Sequence, residues 1–441
     1  MERSFFIAGA GLAGCEAAWQ LANRGIKVTL MEMRPEKSTP AHETAGFAEL
    51  VCSNSLKAIG LDTGSGLLKE ELKRYGSLLI KTAFETSVPA GGALAVDRKL
   101  FSNKITDILT SHPNITIKKG ELKDIPSEPC LIATGPLTSD SLAEKIKERF
   151  GGCLYFADAI SPIISADSID KSKGYFLGRY GKGGDDYFNL PLTEDEYNAF
   201  YDALVSAKTA EFHDFESVDF FEGCMPVEVM ASRGRQTLSF GPMKPVGLEH
   251  PETGERPYAV MQLRKENIEG TAFNIVGFQT KMTISEQKRV FGMIKGLENA
   301  EFLRFGSVHR NTYINGPAVL NKYFQAKDYP NLFFAGQITG LEGYVESIAG
   351  GLIAGLQISA YINDKPFYEI PGETALGSLS KFICGQSGLA HATTDDYTPS
   401  NFHFGMLPPL KERIKDKRAK KTKQALSALE KADRFIEEFI K

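Results

Sequence analysis

The chain has 441 residues, 42% of them hydrophobic and 24% charged, with a formal net charge of −4. A chain of this length exceeds what one hydrophobic core usually organises, so two structural units are expected, and the slight acidic excess argues against a protein that coats nucleic acid with its whole surface. No apolar run of the ~18 residues that a membrane span requires stands out, no signal-peptide pattern precedes the first strand, and the cysteines at 15, 52, 130, 153, 224 and 384 lack CxxC or zinc-ligand spacing; the expectation is a cytoplasmic protein without metal, disulfide framework or membrane anchor.

In chain order, the apolar strand Phe5-Phe6-Ile7-Ala8 runs into Gly9-Ala10-Gly11-Leu12-Ala13-Gly14, then a helix from Cys15 to Asn23 and a second strand, Val28 to Met31, that ends in Glu32. This is the pattern of a dinucleotide site. Gly9 permits the tight turn, Gly11 lets backbone approach a pyrophosphate, Gly14 lets the helix pack close to the strand, and Glu32 falls where a carboxylate meets a ribose hydroxyl. The helix N-terminus offers N–H groups and a positive dipole end to the phosphates.

Ile115 to Ile117 reads as a short strand, and Cys130-Leu131-Ile132 as a buried one that turns at Ala133, Thr134 and Gly135, small residues suited to backbone passing close to a cofactor. Asn331 to Ala335 repeats that logic and stops at Gly336 and Gln337, before a run from Gly343 to Gly355 whose small residues allow a tightly packed helix. Between these stretches, Thr237 to Phe240, Tyr258 to Leu263 and Phe273 to Val276 look like strands, and Glu194 to Ala207 and Ser285 to Gly296 look helical. The expected fold is therefore α/β, a discontinuous Rossmann-like FAD-binding domain (1–175 and 325–441) with an α+β insertion domain (176–324). Near the end, Lys411 to Lys423 carries eight Lys or Arg against two acids, which is either a solvated helix face or a phosphate-facing patch; Arg233 and Arg235 form a weaker cluster.

Five segments together carry a resemblance: Gly9 to Gly14, Glu49-Leu50-Val51-Cys52-Ser53-Asn54-Ser55, Ala133 to Ser139, Glu222-Gly223-Cys224-Met225-Pro226-Val227-Glu228, and Gly336 to Tyr344. In these the chain resembles the folate- and FAD-dependent tRNA (uracil-5-)-methyltransferases, relatives of the GidA/MnmG flavoproteins. The resemblance implies methylation of uridine 54 in the tRNA T-loop, with 5,10-methylenetetrahydrofolate as carbon donor, FAD as reductant and NADH or NADPH to reduce the flavin. Its chemistry requires a thiolate to add at C6 of uracil before C5 becomes nucleophilic. Cys224 is the expected nucleophile, Cys52 an assisting or flavin-side thiol, and Tyr344 the expected proton handler, with Glu342 and Glu346 as weaker alternatives. The other four cysteines are expected to be inert.

A folate site needs a flat stacking surface and cations. Alternation over Ser307 to Tyr313 would put His309, Asn311 and Tyr313 on one face, so His309 is expected to stack on the pterin, Asn311 to bond its edge, and Arg310 to reach a tail carboxylate or a phosphate. Other readings of the same residues are a wobble-uridine flavoprotein, disfavoured because that family extends into a long C-terminal helical domain, a noncatalytic tRNA-binding flavoprotein, and a small-molecule oxidoreductase on the same fold.

Overall fold

The computed structural model describes residues 4–181, 183–210, 220 and 225–440, with the side chains of Cys153, Phe156 and Arg310 outside the described set. Five parallel strands form the first sheet, in the order Leu332–Phe334, Cys130–Ile132, Ser4–Ala8, Lys27–Glu32, Ile115–Lys119. The residues of Cys130–Ile132 and Leu332–Phe334 are all buried, as continuous apolar runs must be in a parallel sheet covered on both faces. Because one edge strand comes from the far end of the chain, this sheet is assembled from two stretches separated by the second unit.

The helix Leu12–Ala22 packs along the helix Tyr344–Ile362, and glycines set the approach. A Cβ on Gly351 would overlap the carbonyl of Ala13, and one on Gly355 would lie 2.8 Å from the Gln20 Cβ. Tyr344–Ile362 is long and apolar enough to cross a membrane, contrary to the expectation from the sequence, but 89% of its apolar window is buried inside the protein, where it serves as a core helix.

The second sheet is antiparallel and six-stranded, in the order Tyr175–Phe176, Tyr187–Leu192, Ala259–Lys265, Ala272–Ile275, Ile163–Ser165, Phe302–Arg304. Its own core joins Phe188, Leu190, Met261, Leu263 and Phe273 to Tyr197, Phe200 and Leu204 of the helix Glu194–Val205. That helix starts at a capping box in which Thr193 and Glu196 each bond the other's backbone N–H. An antiparallel ribbon of Cys153–Ala159 and Val308–Ile314 leads into and out of this unit, pairing Asp158 with His309 and Phe156 with Asn311.

Two local expectations change. Thr237–Phe240 is a short helix: Phe240 N–H bonds the Gln236 carbonyl, only Leu238 is buried, and Phe240 points out to solvent. Four residues are too few to separate a period of two from one of 3.6. The helix expected from Ser285 to Gly296 is shorter, Ile284–Phe291, and stops at Gly292.

Candidate functional site

The glycine loop closes tightly on itself and leaves one side open. Gly9 has φ +100°, donates to the Met31 carbonyl at 2.8 Å, and would place a Cβ 2.5 Å from the Ala133 oxygen. A Cβ on Gly14 would overlap the Gly9 carbonyl, whereas one on Gly11 would meet nothing within 4 Å. The requirement at Gly9 and Gly14 is thus internal packing, and the space beside Gly11 is where a bound group fits. Leu12 and Ala13 begin the helix behind the loop, with Ala13 buried.

Glu32 holds the loop's shape. Its carboxylate accepts the Ala10 N–H at 3.0 Å and the Arg34 N–H and Nε at 3.0 and 2.9 Å, and Arg34 reaches Glu49 at 3.0 Å. Burial alone would raise the Glu32 carboxyl, but these bonds outweigh it and hold it below the ordinary carboxylate range, so it is ionised. Thr134, whose hydroxyl lies 2.6 Å from that of Thr138, forms the facing wall with Ala133, and Gly135 turns away at φ +68°. Gly336, at φ +81°, comes so near the helix that a Cβ would lie 2.8 Å from Ala13 Cβ. The open side at Gly11, flanked by loop N–H groups and a helix N-terminus, fits a dinucleotide pyrophosphate.

Leu137 borders both this cradle and a cavity of about 360 Å³ between the two units. Cys52, Tyr344, His309, Asn311, Gln337 and Glu342 all line that cavity, so residues far apart in sequence meet in one place. The Tyr344 hydroxyl accepts the Cys52 N–H at 2.7 Å and the Ser53 N–H at 3.2 Å. Burial and then the neighbouring Cys52 push its phenol well above the ordinary tyrosine range, so it is neutral and keeps its own proton to give. The Cys52 sulfur lies 3.9 Å from the Ala159 carbonyl. Glu342 accepts from Gln337 at 2.7 Å, and burial together with Asp158 raises its carboxyl well above the usual value. Glu346 accepts the Phe402 N–H at 3.1 Å through one oxygen, while its other oxygen is buried without a hydrogen bond among the described residues.

On the ribbon, His309 Nε2 lies 3.0 Å from the Ser307 hydroxyl, and burial, with Arg304 second, pulls its pKa down to about 4. The ring is neutral. Asn311 is 3% exposed and its Nδ2 is buried with no hydrogen-bond partner among the described residues, a donor with capacity to spare at the cavity wall. Tyr313 packs on Tyr397 instead of the cavity. Arg310 pairs through its backbone with Ala157, its side chain being outside the described set. Cys224 lies outside the described residues. Its described flanks approach the cavity: Phe220 bridges Ala157, and Val227 donates at 2.7 Å to the carbonyl of Gln279, which lines it. Burial pushes the Cys130 thiol up to about 12 and raises Cys15 and Cys384 as well.

Several residues here carry no mark in the sequence. Asn54, fully buried, donates to the carbonyls of Val96 and Lys265 at 3.1 and 3.0 Å and accepts from Arg264 Nε and Nη2 at 3.1 and 2.8 Å. Arg98 bonds the carbonyls of Leu50 and Cys52 at 2.8 and 3.0 Å and pairs with Glu266 at 2.7 Å. The Cys-Ser-Asn-Ser segment is thereby pinned to the second unit. Asn54 at least sits inside a distinctive segment, but nothing local distinguishes Arg98, Arg264, Glu266, Lys57 or Asp158 from surface charges.

Residues 4–366 match the family model described as glucose inhibited division protein A. A protein from Listeria monocytogenes named methylenetetrahydrofolate–tRNA-(uracil-5-)-methyltransferase TrmFO is 54% identical over 439 residues, covering 99% of this chain and all of its own. The chain belongs to the TrmFO family. A TrmFO from Aquifex aeolicus is 53% identical over 440 residues, covering 99% of this chain and 97% of its own. Among solved structures, Aquifex aeolicus GidA in its form I crystal superposes with a TM-score of 0.69 at 16% identity, covering 98% of this chain and 76% of that one, a likeness of fold alone. The chain thus shares the fold of GidA, its Rossmann-like parallel sheet drawing strands from both ends of the sequence.

Proposed function

We propose that this protein methylates C5 of uridine 54 in tRNA, taking the carbon from 5,10-methylenetetrahydrofolate. The observation that carries the reading is identity above one-half along the whole chain to proteins named for that reaction. The convergence of Cys52, Tyr344, His309 and Asn311 on one cavity beside the glycine cradle supports it. The chain divides into an FAD-binding domain (1–175 and 325–441) around an insertion (176–324), and the strand Ile163–Ser165 argues for moving the first boundary to near residue 160. The work is done in the cytoplasm, where tRNA and NADH or NADPH are at hand.

The cradle of Gly9 to Gly14 with Ala133, Thr134, Gly135, Gly336 and Gln337 holds FAD, and the Glu32 carboxylate fixes the Ala10 turn beside it. When bound and reduced by NADH or NADPH, FAD supplies the hydride that takes a methylene to a methyl. Cys224, as thiolate, adds to C6 of uracil, makes C5 nucleophilic toward the methylene carbon, and is expelled from C6 as the methyl group is completed and the C5–C6 double bond returns. Asp158 and Glu342 face one cavity, where burial and then the neighbouring Asp158 keep a proton on Glu342, and Asp158 is the base for the proton that C5 releases. Tyr344 gives the proton of its neutral phenol to the folate nitrogen that parts from the methylene carbon, and it positions Cys52, the assisting thiol, by accepting the Cys52 N–H. His309 stacks on the pterin as a neutral ring, Asn311 Nδ2 donates to the pterin edge, and Arg310 takes an anionic group of the folate tail.

The test is transfer of labelled carbon from methylenetetrahydrofolate to a tRNA transcript with NADH or NADPH present. Label should appear as 5-methyluridine in the natural transcript and not in one with cytidine at position 54. No label from a flavin-loaded, reducible protein would overturn the reading.

A further inference from the structure

The basic segment from Lys411 to Lys423 lies away from the cavity and no step above uses it. Its two acids are already engaged: Glu412 pairs with Lys423, and Asp416 caps the helix Lys417–Phe435 by accepting the Ala419 N–H at 2.6 Å. Arg418 pairs with Asp62 at 2.9 Å. Lys411, Arg413, Lys415, Lys417 and Lys420 remain exposed with no ion pair among the described residues. Lys417, Lys420 and Lys421 stand three and four residues apart on one helix face, a spacing at which like charges repel and a polyanion would relieve them.

The segment connects to the cavity. Asn401 lines the cavity and donates to the Glu342 carbonyl, Phe402 N–H bonds Glu346, and the ring of Phe404 lies 5.8 Å from the Lys421 ammonium. Three residues of chain reach at most about 11 Å, so Lys421 stands within roughly 20 Å of the cavity wall. At about 3.4 Å of rise per nucleotide that is no more than about six nucleotides, within one stem-loop.

We infer that this face of the C-terminal helix is a docking surface for the tRNA phosphate backbone, holding the molecule while one nucleotide enters the cavity. The inference rests on the proposed function and adds to it a second, remote contact. RNA is favoured over an anionic membrane because a helix that lies on lipid must give it an apolar face. Here Ala425, Ala428, Leu429, Ala432 and Phe435 are buried in the protein, packed toward the helix Gly64–Arg74.

The experiment compares the full-length wild type with Lys417→Gln/Lys420→Gln/Lys421→Gln and with the corresponding triple Arg variant, following anisotropy of a labelled tRNA transcript between 50 and 200 mM salt. Removing three phosphate contacts should lower the slope of log affinity against log salt by about 2.1 to 2.7, so the wild type loses about 20- to 40-fold more affinity than the Gln variant over that range. The Arg variant should bind like wild type, and bound flavin should be equal in all three. A Gln variant with wild-type affinity and slope would overturn the docking surface while leaving the proposed function standing. So would loss of binding to phosphatidylglycerol vesicles with tRNA binding unchanged. A wild type that binds no tRNA would overturn both.

Discussion

Replacing Asn311 with leucine should move stability and ligand affinity in opposite directions. A buried donor without an acceptor costs about 1–3 kcal/mol, and an apolar group of similar shape avoids that cost. Asn311 is 3% exposed with its Nδ2 unpartnered among the described residues, so Asn311→Leu should make the ligand-free protein more stable by up to about 1–3 kcal/mol, a rise in Tm of a few degrees. A folate that supplies the acceptor recovers the same free energy on binding, so the variant should bind tetrahydrofolate roughly ten- to a hundredfold more weakly. Thermal melts of the ligand-free pair and a tetrahydrofolate titration by fluorescence quenching read the two effects separately. A destabilised variant would mean that the amide already has a partner, and an unchanged affinity would remove Asn311 from the folate site.

Gly11→Val should fold and lose its flavin, because its Cβ meets no protein atom within 4 Å, whereas Gly14→Ala, whose Cβ overlaps the Gly9 carbonyl, should lose stability outright; absorbance of the purified variants and their melting curves separate the two, and a yellow, fully loaded Gly11→Val would contradict the first. Cys224→Ala should stay folded and flavin-loaded but transfer no methyl group, and normal activity in the labelled-carbon assay would remove the nucleophile assignment. Glu71 is buried where its carboxylate accepts the N–H groups of Ala375 and Leu376 at 2.7 and 3.0 Å, and burial outweighs those bonds to push its pKa from 4.5 to about 7. The folded state therefore binds more protons than the unfolded one between those values, so stability is full below pH ~4.5 and falls by up to about 3 kcal/mol as pH rises through 7. Glu71→Gln should flatten that decline in denaturation midpoints measured from pH 5 to 7.5; an equally steep decline would refute it. Lys69, lowered to about 7 by burial, acts above this window and with opposite sign.

The parts of the molecule legible in the sequence are those where one residue type answers a local demand. Gly9 and Gly14 are required by contacts within their own turn, and Cys130-Leu131-Ile132 and Leu332-Phe333-Phe334 are apolar throughout because both faces are covered. The ribbon's alternation put His309 and Asn311 on the cavity, yet Tyr313, on the same face by period, reaches Tyr397 because the strand runs past the cavity's edge. Asp158 and Glu342 were not legible as a pair, since only the crossing of the ribbon over the loop before Tyr344–Ile362 brings them together. The helical Thr237–Phe240 failed for a different reason: an exposed turn has no burial pattern to read.

The polar seam formed by Asn54 with Arg264 and by Arg98 with Glu266 restricts how the protein can move. Sliding one unit over the other would break both hydrogen bonds from the buried Arg264 guanidinium to Asn54 and part Arg98 from Glu266, and at about 1.5–3 kcal/mol for each hydrogen bond to a charged group the two Arg264 bonds alone cost about 3 kcal/mol or more. A population open along that seam would therefore be below about one molecule in a hundred. Admission of a nucleotide must instead come from segments that the seam does not bind, which makes the enzyme a fixed frame with movable edges and its turnover insensitive to agents, such as viscogens, that slow whole-domain rotation.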